Sequence, residues 1–196
     1  MPPRRSQDHH GRRARREGYP ARSVYKLEEI DRRIGLFKKG QRVLDLGASP
    51  GSWTLYAAQQ VGPNGRVLGI DLNDPNVALP PQAEILTVDA FEVDPDTLGG
   101  PFDLVISDMA PKTSGQRHAD QYRSYELVMQ ALELTKAVLK PGGTFVAKIF
   151  QGAEFEDARN SLREVFAKVR TLRPKATRTE SYEVFFVGLG FQPTTG

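Results

Sequence analysis

Lys148 stands inside an apolar run, Phe145-Val146-Ala147-Lys148-Ile149-Phe150, where a solvated ammonium is out of place. A lysine held there is a candidate for proton transfer once burial or a second cation lowers its pKa. A second pattern is acidic. Asp45, Asp71, Asp89 and Asp108 each stand near the end of a short apolar run. In a parallel sheet such ends share one rim, and clustered carboxylates repel unless a ligand answers them. Asp45-Leu46-Gly47-Ala48-Ser49-Pro50-Gly51-Ser52-Trp53 reads as a strand-to-helix turn. Its Gly47 and Gly51 let backbone approach a ligand with no Cβ in the way. The turn meets neither the G-x-G-x-x-G dinucleotide fingerprint nor the G-x-x-x-x-G-K-[ST] phosphate loop. S-adenosylmethionine brings a sulfonium, an amino group, a ribose diol and an adenine. It suits the acidic rim better than NAD or a purely structural role.

The elements that must position these residues alternate along the chain. Val24, Leu27, Ile30 and Ile34 follow helical spacing, with Ser23 as N-cap and Gly35 as stop. Strands are predicted over 42–46, 66–70, 84–88, 102–107 and 144–149, and helices over 53–61, 122–139 and 155–166. Pro75, Pro80 and Pro81 argue against a crossover helix between the second and third strands. Two closing strands, 168–172 and 183–189, follow each other with no helix between them. The expected fold is α/β, a mostly parallel seven-stranded sheet with a C-terminal antiparallel hairpin, in one domain over 21–196. Residues 1–20 carry no periodicity and read as a basic, flexible arm.

Composition bounds the function. The 196 residues include no cysteine and three histidines. That excludes disulfide scaffolds, cysteine-ligated metals and cysteine nucleophiles, and no metal site is expected. No apolar run approaches the roughly 20 residues of a membrane helix, and the N-terminus lacks the apolar core of a secretory signal. A cytoplasmic protein is the expectation. The net charge of +3 hides an asymmetry: +8 over residues 1–42, −9 over 43–158 and +6 over 159–178. Two basic segments around an acidic middle suit a polyanion such as nucleic acid.

Five segments in order resemble a known family: Arg22-Ser-Val-Tyr-Lys-Leu-Glu-Glu-Ile30, Leu44-Asp-Leu-Gly-Ala-Ser-Pro-Gly-Ser-Trp53, Val105-Ile-Ser-Asp-Met-Ala-Pro111, Leu139 to Gly152, and Ser181-Tyr-Glu-Val-Phe-Phe-Val187. Together they resemble the FtsJ/RrmJ-type ribose 2′-O-methyltransferases of large-subunit ribosomal RNA, from about Arg22 to Phe191. The resemblance implies a Rossmann-like methyltransferase domain using S-adenosylmethionine. It also implies a catalytic tetrad of Lys26, Asp108, Lys148 and Glu183. Gly47, Gly51, Trp53, Asp71, Asp89 and Asp108 would contact the cofactor. The implied partner is ribosomal RNA, within the large subunit or its precursor, with a uridine as target and the enzyme acting as a monomer. The chain departs from the family at Ser49 and Ser52, where A-P-G-G-W is frequent, and at Tyr182, where many relatives carry arginine. Asp108-Met109-Ala110-Pro111 differs from the D-P-P-Y loop of amino-directed methyltransferases, which favours an oxygen acceptor. Alternatives are the same reaction on transfer RNA or another RNA, and a non-catalytic RNA-binding assembly factor.

Overall fold

Successive residues of a strand face opposite sides of its sheet, so a strand buried on both faces is apolar throughout. Val43-Leu44, Leu104-Val105-Ile106 and Val146-Ala147 obey this rule. In the computed structural model, which describes residues 5–193, they form the centre of a sheet covered on both faces. The elements are α1 (Arg5–Arg16), α2 (Val24–Ile34), β1 (Arg42–Leu46), α3 (Ser52–Val61), β2 (Arg66–Asp71), β3 (Ala83–Thr87), a 3₁₀ turn (Pro95–Leu98), β4 (Phe102–Ser107), α4 (Arg117–Val138), β5 (Leu139–Phe150), α5 (Phe155–Val165), β6 (Phe166–Leu172) and β7 (Glu183–Phe191). The strand order is β3-β2-β1-β4-β5-β7-β6. The first five strands are parallel, and β7 runs antiparallel between β5 and β6. This is the expected mixed seven-stranded α/β sheet, with the closing hairpin folded back so that its second strand meets β5.

Each face has its own core. Leu44, Val105, Phe145 and Phe186 pack with Val128 and Leu132 of α4 and Leu162 of α5. Val43, Leu104, Val146 and Phe185 pack with Leu27 and Ile30 of α2 and Ala57 of α3. The second face matters for the site, because α2 lies across it.

Several local expectations are corrected. Residues 5–16, read as part of an aperiodic arm, form a helix that buries Ala14 and lays the Arg13 guanidinium over the Tyr25 ring; residues 1–4 of the arm lie outside the described residues. Ser23 is already helical (φ −57°, ψ −23°) and makes no side-chain cap. Gly35 does end α2, in the left-handed conformation at φ 70°. Helix α4 starts five residues before the predicted 122, and β5 runs back through Pro141-Gly142-Gly143. Strand β3 lies at the sheet edge, which is why Leu86 and Val88 beside it remain exposed.

Candidate active site

Register builds the site. Leu46 is level with Ile70 of β2 and with Ser107 of β4, and Ser107 is level with Ala147 of β5. One residue further along each strand, Gly47, Asp71, Asp108 and Lys148 come to the same height on the carboxyl rim. A cleft of about 430 Å³ opens there, lined by Gly47, Asp71, Asp89 and Asp108 together with apolar Leu72 and Met109. That volume suits a nucleoside-sized ligand. Gly47 has φ 76°, and a Cβ on it would sit 2.6 Å from Met109 Cγ. Its amide and that of Ala48 donate to the Ile70 carbonyl at 2.9 and 3.1 Å, which holds the turn against β2.

Asp71 is braced on both oxygens. Oδ2 accepts from the Ser49 amide at 3.0 Å, and Oδ1 accepts from the Asn73 amide and its Nδ2 at 2.8 and 3.0 Å. Asp89 Oδ1 accepts from the Phe91 amide at 2.9 Å. Leu72 is 68% exposed, and Val88 and Phe91 are exposed beside it. All three line the same cleft. An open apolar wall next to fixed carboxylates matches a ligand with one flat apolar end and one hydroxyl-bearing or cationic end.

The second half of the site lies on the α2 face. Opposed residues of an antiparallel pair share a face. Lys148 opposes Phe185, and Phe150 opposes Glu183, so Lys148 and Glu183 emerge on the side covered by α2. Lys148 Nζ donates to the Asp108 carboxylate Oδ1 at 2.9 Å and to its backbone carbonyl at 2.7 Å. Lys26, reaching from α2, forms an ion pair with Glu183. The four side chains are 8–17% exposed, nearly withdrawn from solvent yet reachable. A cleft of about 340 Å³ lies against Lys26 and Glu183, walled by Arg22, Ser23, Arg178 and Ser181. Lys26, Asp108, Lys148 and Glu183, spread over 158 positions of sequence, thus form two ion pairs, with Lys148 and Glu183 on one face of the sheet, Asp108 lining the larger cleft, and Lys26 and Glu183 lining the smaller.

Not every expected residue joins them. Trp53 is 3% exposed, packs against Phe185 and donates from Nε1 to the Ser23 carbonyl at 3.0 Å. It belongs to the core under α2 and lines neither cleft, because the first turn of α3 points it inward. Gly51 (φ 109°) also lies off the lining, and its absent Cβ leaves room for Val77. Asp45, grouped with the rim carboxylates, is fully buried and accepts a 2.6 Å hydrogen bond from Thr54 Oγ1, while its Oδ1 has no partner. Burial pushes its carboxyl up to about 7; the Thr54 hydrogen bond opposes the rise, and the charges of Asp108 and Asp71 add to it. Sequence reasoning missed Leu72, Val88 and Phe91 as a ligand wall. The available signal was an apolar residue directly after a strand-end aspartate, Asp71-Leu72.

Comparison with known proteins finds relatives both in sequence and in fold. A family model described as FtsJ-like methyltransferase matches residues 19–191. A curated protein of Sorangium cellulosum, ribosomal RNA large subunit methyltransferase E, is 53% identical over 178 residues, covering 90% of this chain and 84% of its own. A protein of the same name from Myxococcus xanthus is 47% identical, covering 95% and 90%. Among solved structures, a candidate ribosomal RNA methyltransferase of Plasmodium falciparum superposes with a TM-score of 0.77 at 24% identity, covering 89% of this chain and all of that one. A SAM-dependent O-methyltransferase of Thermotoga maritima superposes at 0.61 with 15% identity, covering 91% and 68%. At these identities the structural matches speak for the fold.

Proposed function

We propose that this chain, which belongs to the FtsJ-like methyltransferase family, transfers a methyl group from S-adenosylmethionine to a ribose 2′-hydroxyl of large-subunit ribosomal RNA, with a uridine as the target. The observation that carries the reading is the two ion pairs, Lys148–Asp108 and Lys26–Glu183, with Asp108 lining the larger cleft and Lys26 and Glu183 lining the smaller. The residues of the larger cleft fit the cofactor. Asp71, fixed by Ser49 and Asn73, suits a ribose diol; Leu72, Val88 and Phe91 suit an adenine face; Asp108 suits a cation. When bound, the cofactor supplies a methyl group already activated by its sulfonium.

The remaining task falls to the protein: hold the 2′-hydroxyl in line and remove one proton. Lys148 is the proton acceptor. Its Nζ is fixed by two oxygens of Asp108, a residue that also lines the cofactor cleft. Lys26 and Glu183 hold the ribose from the α2 side. The basic arm and the walls of the smaller cleft face the RNA backbone.

Tritium transfer from labelled S-adenosylmethionine to ribosomal particles tests the activity, and mapping of 2′-O-methylated nucleotides tests the acceptor atom and the base. Label on a base rather than a ribose would overturn the 2′-hydroxyl assignment. No transfer to RNA at all would leave a binding protein.

A further inference from the structure

The loop between β6 and β7 is tied down by side chains from three sources. Arg173 Nη2 donates to the carbonyls of Arg178, Thr179 and Ser181 at 3.4, 3.3 and 2.6 Å. Glu29 Oε2 on α2 accepts from the Lys175 and Ala176 amides at 2.6 and 3.4 Å. Arg22 Nη2 donates to the Ala176 carbonyl at 3.1 Å. A loop held in this way presents a fixed wall. With His10 of α1 it lines an open cavity of about 160 Å³, together with Arg22, Lys175, Thr177, Arg178 and Glu180.

Two polar atoms belonging to residues of this lining are buried and lack a hydrogen-bond partner, Thr177 Oγ1 and His10 Nδ1. Thr177 is only 9% exposed. A buried hydroxyl without a partner costs roughly 1–3 kcal/mol, so Thr177 Oγ1, on a lining that also carries the unpaired His10 Nδ1, marks a place where a partner binds. A partner that carries negative charge and can accept from the Thr177 hydroxyl fits, because Arg22, Lys175 and Arg178 outnumber the single carboxylate of Glu180. Guanidinium groups match the oxygens of a phosphate. At about 160 Å³ and open to solvent, the cavity has room for one phosphate group. Arg22, Arg178 and Glu180 also wall the cleft of Lys26 and Glu183, so the cavity adjoins the place where the ribose is held.

We propose that this cavity is a subsite for one backbone phosphate of the RNA strand whose ribose is presented to Lys148. The inference rests on the RNA reading above and adds a ligand site to it. A phosphodiester of the substrate and a free phosphate share this chemistry, and the test separates them.

Thr177→Val and Lys175→Gln, made in the full chain, are assayed for methyl transfer with kcat and KM resolved and for RNA affinity against salt. The 31P signal of inorganic phosphate is followed alongside. Thr177→Val is expected to raise the KM for RNA about tenfold. Lys175→Gln is expected to raise KM and to flatten the salt dependence by about 0.7–0.9 log units. In both, kcat and cofactor affinity stay near wild type, and retained cofactor affinity certifies folding. Unchanged KM and salt slope in both variants, with an active wild type, would overturn the subsite. Phosphate-signal broadening that Thr177→Val abolishes, with RNA parameters unchanged, would overturn its assignment to the RNA strand in favour of a free anion. A wild type that moves no methyl to RNA sinks the underlying reading instead, and that result is distinguishable because it needs no mutation.

Discussion

The proposed cofactor cleft takes Gly47, Asp71 and Asp108 from the ends of three neighbouring parallel strands, whereas the proposed proton-handling cluster takes Lys26 from a helix, Lys148 from the middle of the sheet and Glu183 from an antiparallel strand. The cleft is held largely by backbone: amides of Ser49 and Asn73 fix Asp71, and the Ile70 carbonyl fixes the turn at Gly47. The cluster is held mainly by side-chain ion pairs, with one bond from Lys148 Nζ to the Asp108 backbone carbonyl. Backbone fixes position cheaply but offers no titratable group at the reacting atom. Ion pairs supply such a group, and each depends on both partners staying in register. Substitutions in the two regions should therefore fail differently, the first in affinity and the second in rate.

Lys148→Ala breaks the comparison most strongly. Methyl transfer should fall about 10²–10⁴-fold, the usual contribution of a positioned acid or base, while cofactor affinity by calorimetry stays unchanged. Lys148→Arg should be nearly as damaged, since a guanidinium does not deprotonate near neutral pH. An arginine variant with most of its activity would make Lys148 an electrostatic positioner instead of a base.

Asp71→Ala should give the converse. Losing hydrogen bonds from a charged acceptor weakens cofactor affinity by roughly 10–100-fold, with the KM for RNA little changed. Equal losses for cofactor and RNA would erase the division between the two regions.

Asp45→Asn sharpens the comparison through stability. The folded carboxyl titrates near 7, well above its ordinary range. Between about pH 4 and 7 the folded chain therefore binds more protons than the unfolded chain. Stability falls as pH rises, by up to about 1.4 kcal/mol per unit. Asparagine removes the titration, so urea midpoints of the variant should lose this component of the slope. A slope identical to wild type would mean that Asp45 ionises normally.

The smallest effect is expected from exposed arginines of α1. Arg15→Gln with Arg16→Gln should flatten the salt dependence of RNA binding by about 0.7–0.9 log units per lost phosphate contact. Cofactor affinity should not move. An unchanged slope would make α1 a solvated helix with no part in the RNA path.

The alternation of apolar strands with helices, the proline-broken link before β3 and the closing hairpin were legible because periodicity and turn residues are local. The arm was not, since a helix so polar, with Ala14 as its buried apolar anchor, leaves little pattern to read. The aspartates at 71, 89 and 108 could be placed on one rim from strand ends alone. Asp45 resembled them in sequence, but it stands one residue before the end of β1, and the side-chain alternation turns it inward onto Thr54. Trp53 matched a motif, yet the helix phase points it at Phe185.

By itself the sequence determined the α/β order, the glycine turn and the unusual lysine within an apolar strand, because each rests on neighbours a few positions away. Tertiary structure decided which charges meet. Lys148 faces Asp108 because β4 and β5 pair with Ser107 level with Ala147, and it shares a face with Glu183 because β7 runs antiparallel beside β5. Lys26 reaches Glu183 only because α2 packs across that face. The loop wall beneath Thr177 depends on Glu29 and Arg22, residues about 150 positions away from the amides and carbonyl they hold. Register and packing are properties of strands that have already found one another, and no short stretch of sequence contains them.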